Sequence, residues 1–231
     1  MTNLTNIAKV SPRWEAAATV ESFRTSSPNE VLLAYAATLL KHRDRLTVLD
    51  VGGGAARNAL PLAEMGARVV CTDLSFPMLV AANSKLTGEP EPPQLSLVQA
   101  PMAPLPFLDN SFDLVVAHGI WNLARSAHEF RFAVAEAARV ARPGAGLFLF
   151  TFSRHTIPAS DLPVAGESFV FTQFNGEPQC FLTEAEIIEE LDTVGFERDA
   201  PAPLTIYNNT AGPRLTAQGP PVLFEGTFVR R

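Results

Sequence analysis

The stretch Leu46–Leu74, LTVLDVGGGAARNALPLAEMGARVVCTDL, decides the fold. An apolar run, Leu46-Thr47-Val48-Leu49-Asp50-Val51, leads into Gly52, Gly53 and Gly54. A helix-compatible segment then runs from about Ala56 to Met65 and stops at Gly66, and a second apolar run, Ala67 to Thr72, ends on Asp73. Strand, glycine turn, helix and strand in that order read as the first half of a nucleotide-binding α/β unit. Glycine leaves the backbone bare where a ligand crosses the carboxyl end of a strand. The start of the next helix offers unpaired N–H groups and partial positive charge to an anionic group. A carboxylate at the tip of the second strand, about 20 residues after the glycines, accepts hydrogen bonds from a ribose diol, and Asp73 holds that place.

Spacing separates the possible cofactors. The nicotinamide fingerprint G-x-G-x-x-G/A fails from Gly52, because its sixth position is Arg57, and fails one residue later, because its third is Ala55. The pattern is instead acid-x-Gly-x-Gly-x-small, Asp50-Val51-Gly52-Gly53-Gly54-Ala55-Ala56. Downstream stand LPFLDNSFD at Leu105–Asp113, RVARPG at Arg139–Gly144 and GFE at Gly195–Glu197. On these residues the chain resembles the class I (Rossmann-like) S-adenosylmethionine-dependent methyltransferases of the small-molecule type. It departs from their usual pattern at Ala56 and Ala145, which replace glycines. The likeness covers about Leu46 to Gly195 well and the two ends poorly.

The resemblance implies a doubly wound, mostly parallel seven-stranded α/β sheet with helices on both faces and a C-terminal antiparallel hairpin. It implies transfer of a methyl group from S-adenosylmethionine to an O, N, S or C nucleophile of a small molecule, leaving S-adenosylhomocysteine. Gly52, Gly53 and Gly54 would approach the methionine moiety, and Asp50 would sit near its amino group through water or backbone. Asp73 would take the ribose hydroxyls. Leu74, Met78 and Met102 would flank adenine, and the His118 carbonyl would reach the amino group. Members of the family usually carry an acid just before LPF; Pro101 stands there, which leaves the Met102 N–H to serve adenine. A protein that binds the same cofactor for a regulatory or non-methylating role is the alternative.

Methyl transfer aligns nucleophile, methyl carbon and sulfur and excludes water; a base is needed only when the nucleophile still carries its proton. His118, after the fourth strand, and His155, after the fifth, are the candidate bases, although a lone histidine is more often positional. Trp14, Trp121 and Asn122 are the candidate substrate contacts, because ligands sit beyond the carboxyl ends of such strands or under an N-terminal lid. Packing against the sheet is the plainer reading of Trp14, Phe23 and Tyr35.

Composition bounds the rest. The chain has 231 residues, of which 47% are hydrophobic, with a formal net charge of −6, which fits one domain with a well-covered core. Without a Lys/Arg-rich run, nucleic acid is not the expected partner. Cys71 and Cys180 have neither disulfide-framework nor metal-ligand spacing, so no metal is expected. No apolar run approaches the ~18 residues of a membrane span and no leader-like segment opens the chain, so a cytoplasmic protein without membrane attachment is expected, as monomer or homodimer. Residues 1–231 read as a single domain: a helical cap over 1–45, a cofactor-binding core over 46–153, a lid over 154–181, and a C-terminal helix with closing strands over 182–231.

Signals for individual elements follow. A helix is expected from Pro12 to Phe23 and another capped by Ser27, after a polar start over residues 1–12. Ser75 and Pro77 open a helix to about Lys85, before a proline-rich loop over Thr87–Pro93. Strands are expected at Gln94–Gln99, Phe112–Ala117 and Gly146–Phe152. Ser126 with Glu129, and Thr183 with Glu186, have capping-box spacing. Ser153–Phe181 reads as irregular, and strands near Ala202–Asn208 and Val222–Arg230 close the sheet.

Overall fold

A computed structural model describes residues 10–86, 93–209 and 216–231. The polar start over residues 1–9, most of the loop expected at Thr87–Pro93, and part of the link before the last strand lie outside the described residues. The chain divides into two compact units, Met1–Pro106 and Phe107–Arg231.

In the first unit the strands β1 (Thr47–Val51), β2 (Arg68–Asp73) and β3 (Leu95–Gln99) run parallel in the order β3-β2-β1. Register places Asp50 beside Cys71, Val51 beside Thr72, and Asp73 beside Gln99. The apolar runs of β1 and β2 follow from burial on both sheet faces, as in a central parallel strand. Helices α1 (Ala17–Thr25), α2 (Glu30–Lys41), α3 (Ala59–Glu64) and α4 (Phe76–Ser84) complete the unit. The first expected helix is broken: a 3-10 turn at Pro12–Trp14 precedes α1. The cap of α2 is Asn29, not Ser27; its side chain accepts from the Leu32 N–H. Pro28 therefore lies outside the helix. Helix α3 starts later than expected because Ala56 takes a left-handed φ of 57°. Pro61 is its third residue, where a missing N–H leaves no bond unmade.

The second unit holds β4 (Phe112–His118), α5 (Ala127–Val140), β5 (Ala141–Phe152), α6 (Glu184–Asp192) and a small hairpin, β6 (Val170–Phe171) with β7 (Gln179–Cys180). Three more strands follow, β8 (Phe196–Arg198), β9 (Thr205–Tyr207) and β10 (Leu223–Arg230). β4 and β5 are parallel, β10 runs antiparallel between β5 and β8, and β9 also pairs with β10. The expected closing hairpin is thus β9 with β10.

Among the described residues β8 is an eighth main-sheet strand, one more than expected. It arises because the chain leaves α6 through Gly195, at φ 81°, and runs directly along Phe228–Arg230. β5 also begins earlier than Gly146. Arg142-Pro143-Gly144 lies inside it as an irregularity, where the register jumps from Phe112↔Ala141 to Leu114↔Gly146.

The Thr183–Glu186 capping box is complete. At Ser126 only half of one forms: Ser126 accepts from the Glu129 N–H, but the Glu129 carboxylate takes the Arg125 N–H instead. The segment after β5 is largely irregular, as expected, with only a 3-10 turn and the β6–β7 hairpin in it, yet it is packed. Ile157, Phe171 and Phe181 share a buried cluster, joined by Phe152 and Phe174. The Arg154 guanidinium lies 4.6 Å from the Phe171 ring centre and donates to the carbonyls of Ile157, Pro158 and Asp161.

Candidate functional site

The glycine turn is built by hydrogen bonds that the sequence specifies locally. Gly53 N–H donates to the Thr72 carbonyl at 2.9 Å, Gly54 N–H to Asp73 Oδ2 at 2.9 Å, and Ala56 N–H to the Gly53 carbonyl at 3.1 Å. Asp73 Oδ1 takes the Ser75 N–H at 2.7 Å, so the acid at the tip of β2 clasps the turn after β1. Gly52 and Gly54 adopt φ of 65° and 57°, a region open to glycine at little cost. Gly53 is required for another reason: a Cβ there would lie 2.6 Å from Asp50 Oδ2 and 2.6 Å from Cys71 Sγ.

Two carboxylates therefore flank the turn. Asp50 is 1% exposed and neither of its oxygens has a hydrogen-bond partner among the described residues. Burial pushes its carboxyl up to about 7, with the Arg57 charge opposing and the Asp73 charge adding to the rise. Burial also raises Asp73, while the N–H groups of Ser75, Gly54 and Leu74 pull it back. An unpaired buried acid favours a cation beside it. The ammonium of an amino-acid ligand is such a cation, so Asp50 fits the amino-acid half of the cofactor named above. Each Asp73 oxygen keeps lone-pair capacity for a sugar hydroxyl. The turn does not suit a pyrophosphate: the N–H groups of Gly53, Gly54 and Ala56 already have acceptors in the chain.

Met78 is buried on α4, and Leu74 and Met102 are half-buried. Leu74 accepts from Gln99 Nε2 at 3.0 Å, and the Ala100 N–H donates to the Asp73 carbonyl at 3.1 Å, which brings the chain after β3 beside the tip of β2. Trp14 and Phe23 meet edge to face at 5.7 Å and pack on Ala55, Met78 and Ala81. The Trp14 carbonyl accepts from Ser75 Oγ at 3.0 Å. The N-terminal segment is thus fastened to the glycine turn and α4 instead of the sheet, and a Cβ on Gly54 would touch Phe23 at 3.4 Å.

Sequence reasoning missed three supports of this turn. Lys85 Nζ donates to the Ala55 carbonyl at 2.9 Å, Asn58 Oδ1 accepts the Asn29 N–H at 2.9 Å, and Arg57 counters the Asp50 charge. Lys85 and Asn29 lie about 30 residues from their partners, beyond the reach of any local pattern.

In the second unit, His118 ends β4 and stacks on Phe150, ring centres 4.2 Å apart. Trp121 and Asn122 form a 3-10 turn just beyond it and are buried. Trp121 packs on Phe130, while its Nε1 and Asn122 Oδ1 find no hydrogen-bond partner among the described residues. His155 is exposed in a 3-10 turn after β5, edge-on to Phe224. The two histidines stand at the ends of different strands. No His/Cys/Asp/Glu group among the described residues could hold a metal ion, and none of their helices is long and apolar enough to cross a membrane.

The strand arrangement and the acid-flanked glycine turn define the class I S-adenosylmethionine-dependent methyltransferase fold. A methyltransferase from Methanosarcina mazei superposes with a TM-score of 0.66 at 20% identity, over 83% of this chain and 96% of that one. Magnesium protoporphyrin IX methyltransferase from Synechocystis, solved with bound S-adenosylmethionine, superposes with a TM-score of 0.63 at 15% identity, over 97% and 99%.

Residues 49–150 match the family described as methyltransferase domain. A demethylmenaquinone methyltransferase of Corynebacterium glutamicum is 38% identical over 112 residues, 48% of this chain and 44% of the relative. The chain spans about half the length of the curated relatives it matches.

Proposed function

We propose that this protein is an S-adenosylmethionine-dependent methyltransferase acting on a small molecule. The observation that carries the reading is the Gly54–Asp73 clasp beside the buried, unpaired Asp50. It sets two acids beside a bare main-chain turn whose N–H groups at Gly53, Gly54 and Ala56 are already taken, which disfavours a pyrophosphate. Asp50 sits near the ammonium of the donor through water or backbone, Gly52 to Gly54 let its amino-acid half lie against bare main chain, and Asp73 holds the ribose. Leu74, Met78 and Met102 supply the apolar walls for adenine. The bound cofactor supplies an electrophilic methyl on a sulfonium.

The chain's own work is to hold that carbon in line with the acceptor and to keep water away. The His118 carbonyl as an amino-group contact and the His118 and His155 rings as proton acceptors belong to the same proposal. So do the substrate roles of Trp14, Trp121 and Asn122, the single-domain division with a lid over 154–181, and a monomer or homodimer without nucleic acid. The matched domains of the demethylmenaquinone relatives support a small-molecule acceptor.

Titration calorimetry with S-adenosylhomocysteine tests the site. Asp73→Ala is expected to weaken binding about tenfold or more, roughly 1.4 kcal/mol, and unchanged affinity removes the ribose assignment. A labelled-methyl assay over a metabolite panel separates transfer from binding without transfer.

A further inference from the structure

The second unit carries a row of side chains that begins at His118 and runs beyond the roles proposed above. His118 pairs with Phe150 across β4 and β5, and Phe150 pairs with Glu225 across β5 and β10. Paired residues share a sheet face, so the three stand side by side. The His118 and Phe150 rings are stacked with 11° between their planes. Tyr207 reaches from β9 to place its ring 6.2 Å from Phe150, and its hydroxyl donates to Glu225 Oε1 at 2.7 Å.

Exposure along the row is uneven. Glu225 is 3% exposed, whereas His118, Phe150 and Tyr207 stay half open. A carboxylate inside a sheet is costly unless paired, and Tyr207 is a partner that meets that cost. The pairing has a second effect. A hydroxyl whose proton is fixed on a carboxylate turns its lone pairs outward. The hydrogen bond to Glu225, with burial and the Glu225 charge, pushes the Tyr207 phenol up to about 12, so it stays protonated and its oxygen serves as an acceptor. The rings stand at the carboxyl end of the parallel strands β4 and β5, where ligands of such sheets bind.

We propose that His118, Phe150 and Tyr207 form an acceptor subsite for a planar aromatic compound bearing a hydroxyl, with the Glu225-anchored Tyr207 oxygen receiving that hydroxyl's hydrogen bond. The ring of the acceptor lies over the row and meets its ring edges, a geometry aromatic pairs favour. Tyr207 is the contact residue, and Glu225 is a positioning residue that acts through it. The inference rests on the methyltransferase reading for what the subsite feeds, but the recognition it describes is measurable alone.

The test uses 2-naphthol, naphthalene and decahydro-2-naphthol as probes, titrated calorimetrically into the full chain with and without saturating S-adenosylhomocysteine. 2-Naphthol is expected to bind about tenfold more tightly than its saturated counterpart. Tyr207→Phe is expected to cost 2-naphthol about fivefold while leaving naphthalene and S-adenosylhomocysteine unchanged, a pattern that general loosening of the sheet would not produce. Phe150→Leu is expected to weaken both aromatic probes and not the cofactor product. Equal affinity for the saturated probe, an indifferent Tyr207→Phe variant, or no binding of 2-naphthol overturns the subsite. Failure of S-adenosylhomocysteine alone to bind overturns the methyltransferase reading instead, and the probe titrations on the unsaturated protein still decide the subsite.

Discussion

Gly53 shows how closely the residue scale is specified. The 2.6 Å approach of any Cβ to both Asp50 Oδ2 and Cys71 Sγ leaves no neighbour free to yield, since both are fully buried. Gly53→Ala is expected to cost about 1–3 kcal/mol of stability, the usual range for overpacking, measured by urea denaturation. It should also weaken S-adenosylhomocysteine binding in calorimetry. Wild-type stability in this variant would show that the turn yields easily. The pattern Asp50-x-Gly-x-Gly was legible in the sequence because each residue meets a local backbone demand. Lys85 on the Ala55 carbonyl was not, because the chain must first fold α4 back over the turn to bring them together.

At the scale of elements, α1 contains no buried residue, yet it holds Phe23 against Gly54 and Met78. Its position is set by that contact and by the Trp14–Ser75 hydrogen bond, not by its own amphipathic pattern. Phe23→Ala is expected to weaken S-adenosylhomocysteine binding by a few-fold, about 1 kcal/mol, with the helix content by circular dichroism unchanged; an unaltered dissociation constant would detach α1 from the site.

Capping is independent of the site. Thr183→Ala should cost about 1 kcal/mol in thermal or chemical unfolding and leave ligand affinity untouched. The complete Thr183 box was readable from four residues. The half box at Ser126 was not, because only tertiary geometry sends Glu129 to the Arg125 N–H. β8 escaped notice for a similar reason: of Phe196, Glu197 and Arg198 only the first is buried, so no alternation marks it, and pairing with β10 alone makes it a strand.

For the whole molecule, the buried Asp50 couples folding to pH. Its carboxyl is raised from 3.8 to about 7, so between those values the folded chain binds more protons at this site than the unfolded chain. The contribution of this group to stability therefore falls as pH rises from about 4 towards 7. Asp50→Asn is expected to flatten the stability profile over that window by an amount on the order of 3 kcal/mol, measured as unfolding free energy at pH 5 and pH 8. An unchanged slope would mean that Asp50 is ionised in the fold without penalty. If the proposed site holds, S-adenosylmethionine should flatten the wild-type profile in the same direction, its ammonium offsetting the buried charge.

The self-satisfied donors of the Gly53–Ala56 hairpin bear on turnover. With those N–H groups occupied by the chain and acids on either side, the turn offers little to anions. In the proposed reaction the incoming donor carries a charge on sulfur that the departing thioether has lost. Both molecules keep the ammonium and the ribose diol that the proposed site would hold, so the spent one competes with the fresh one for the same seat.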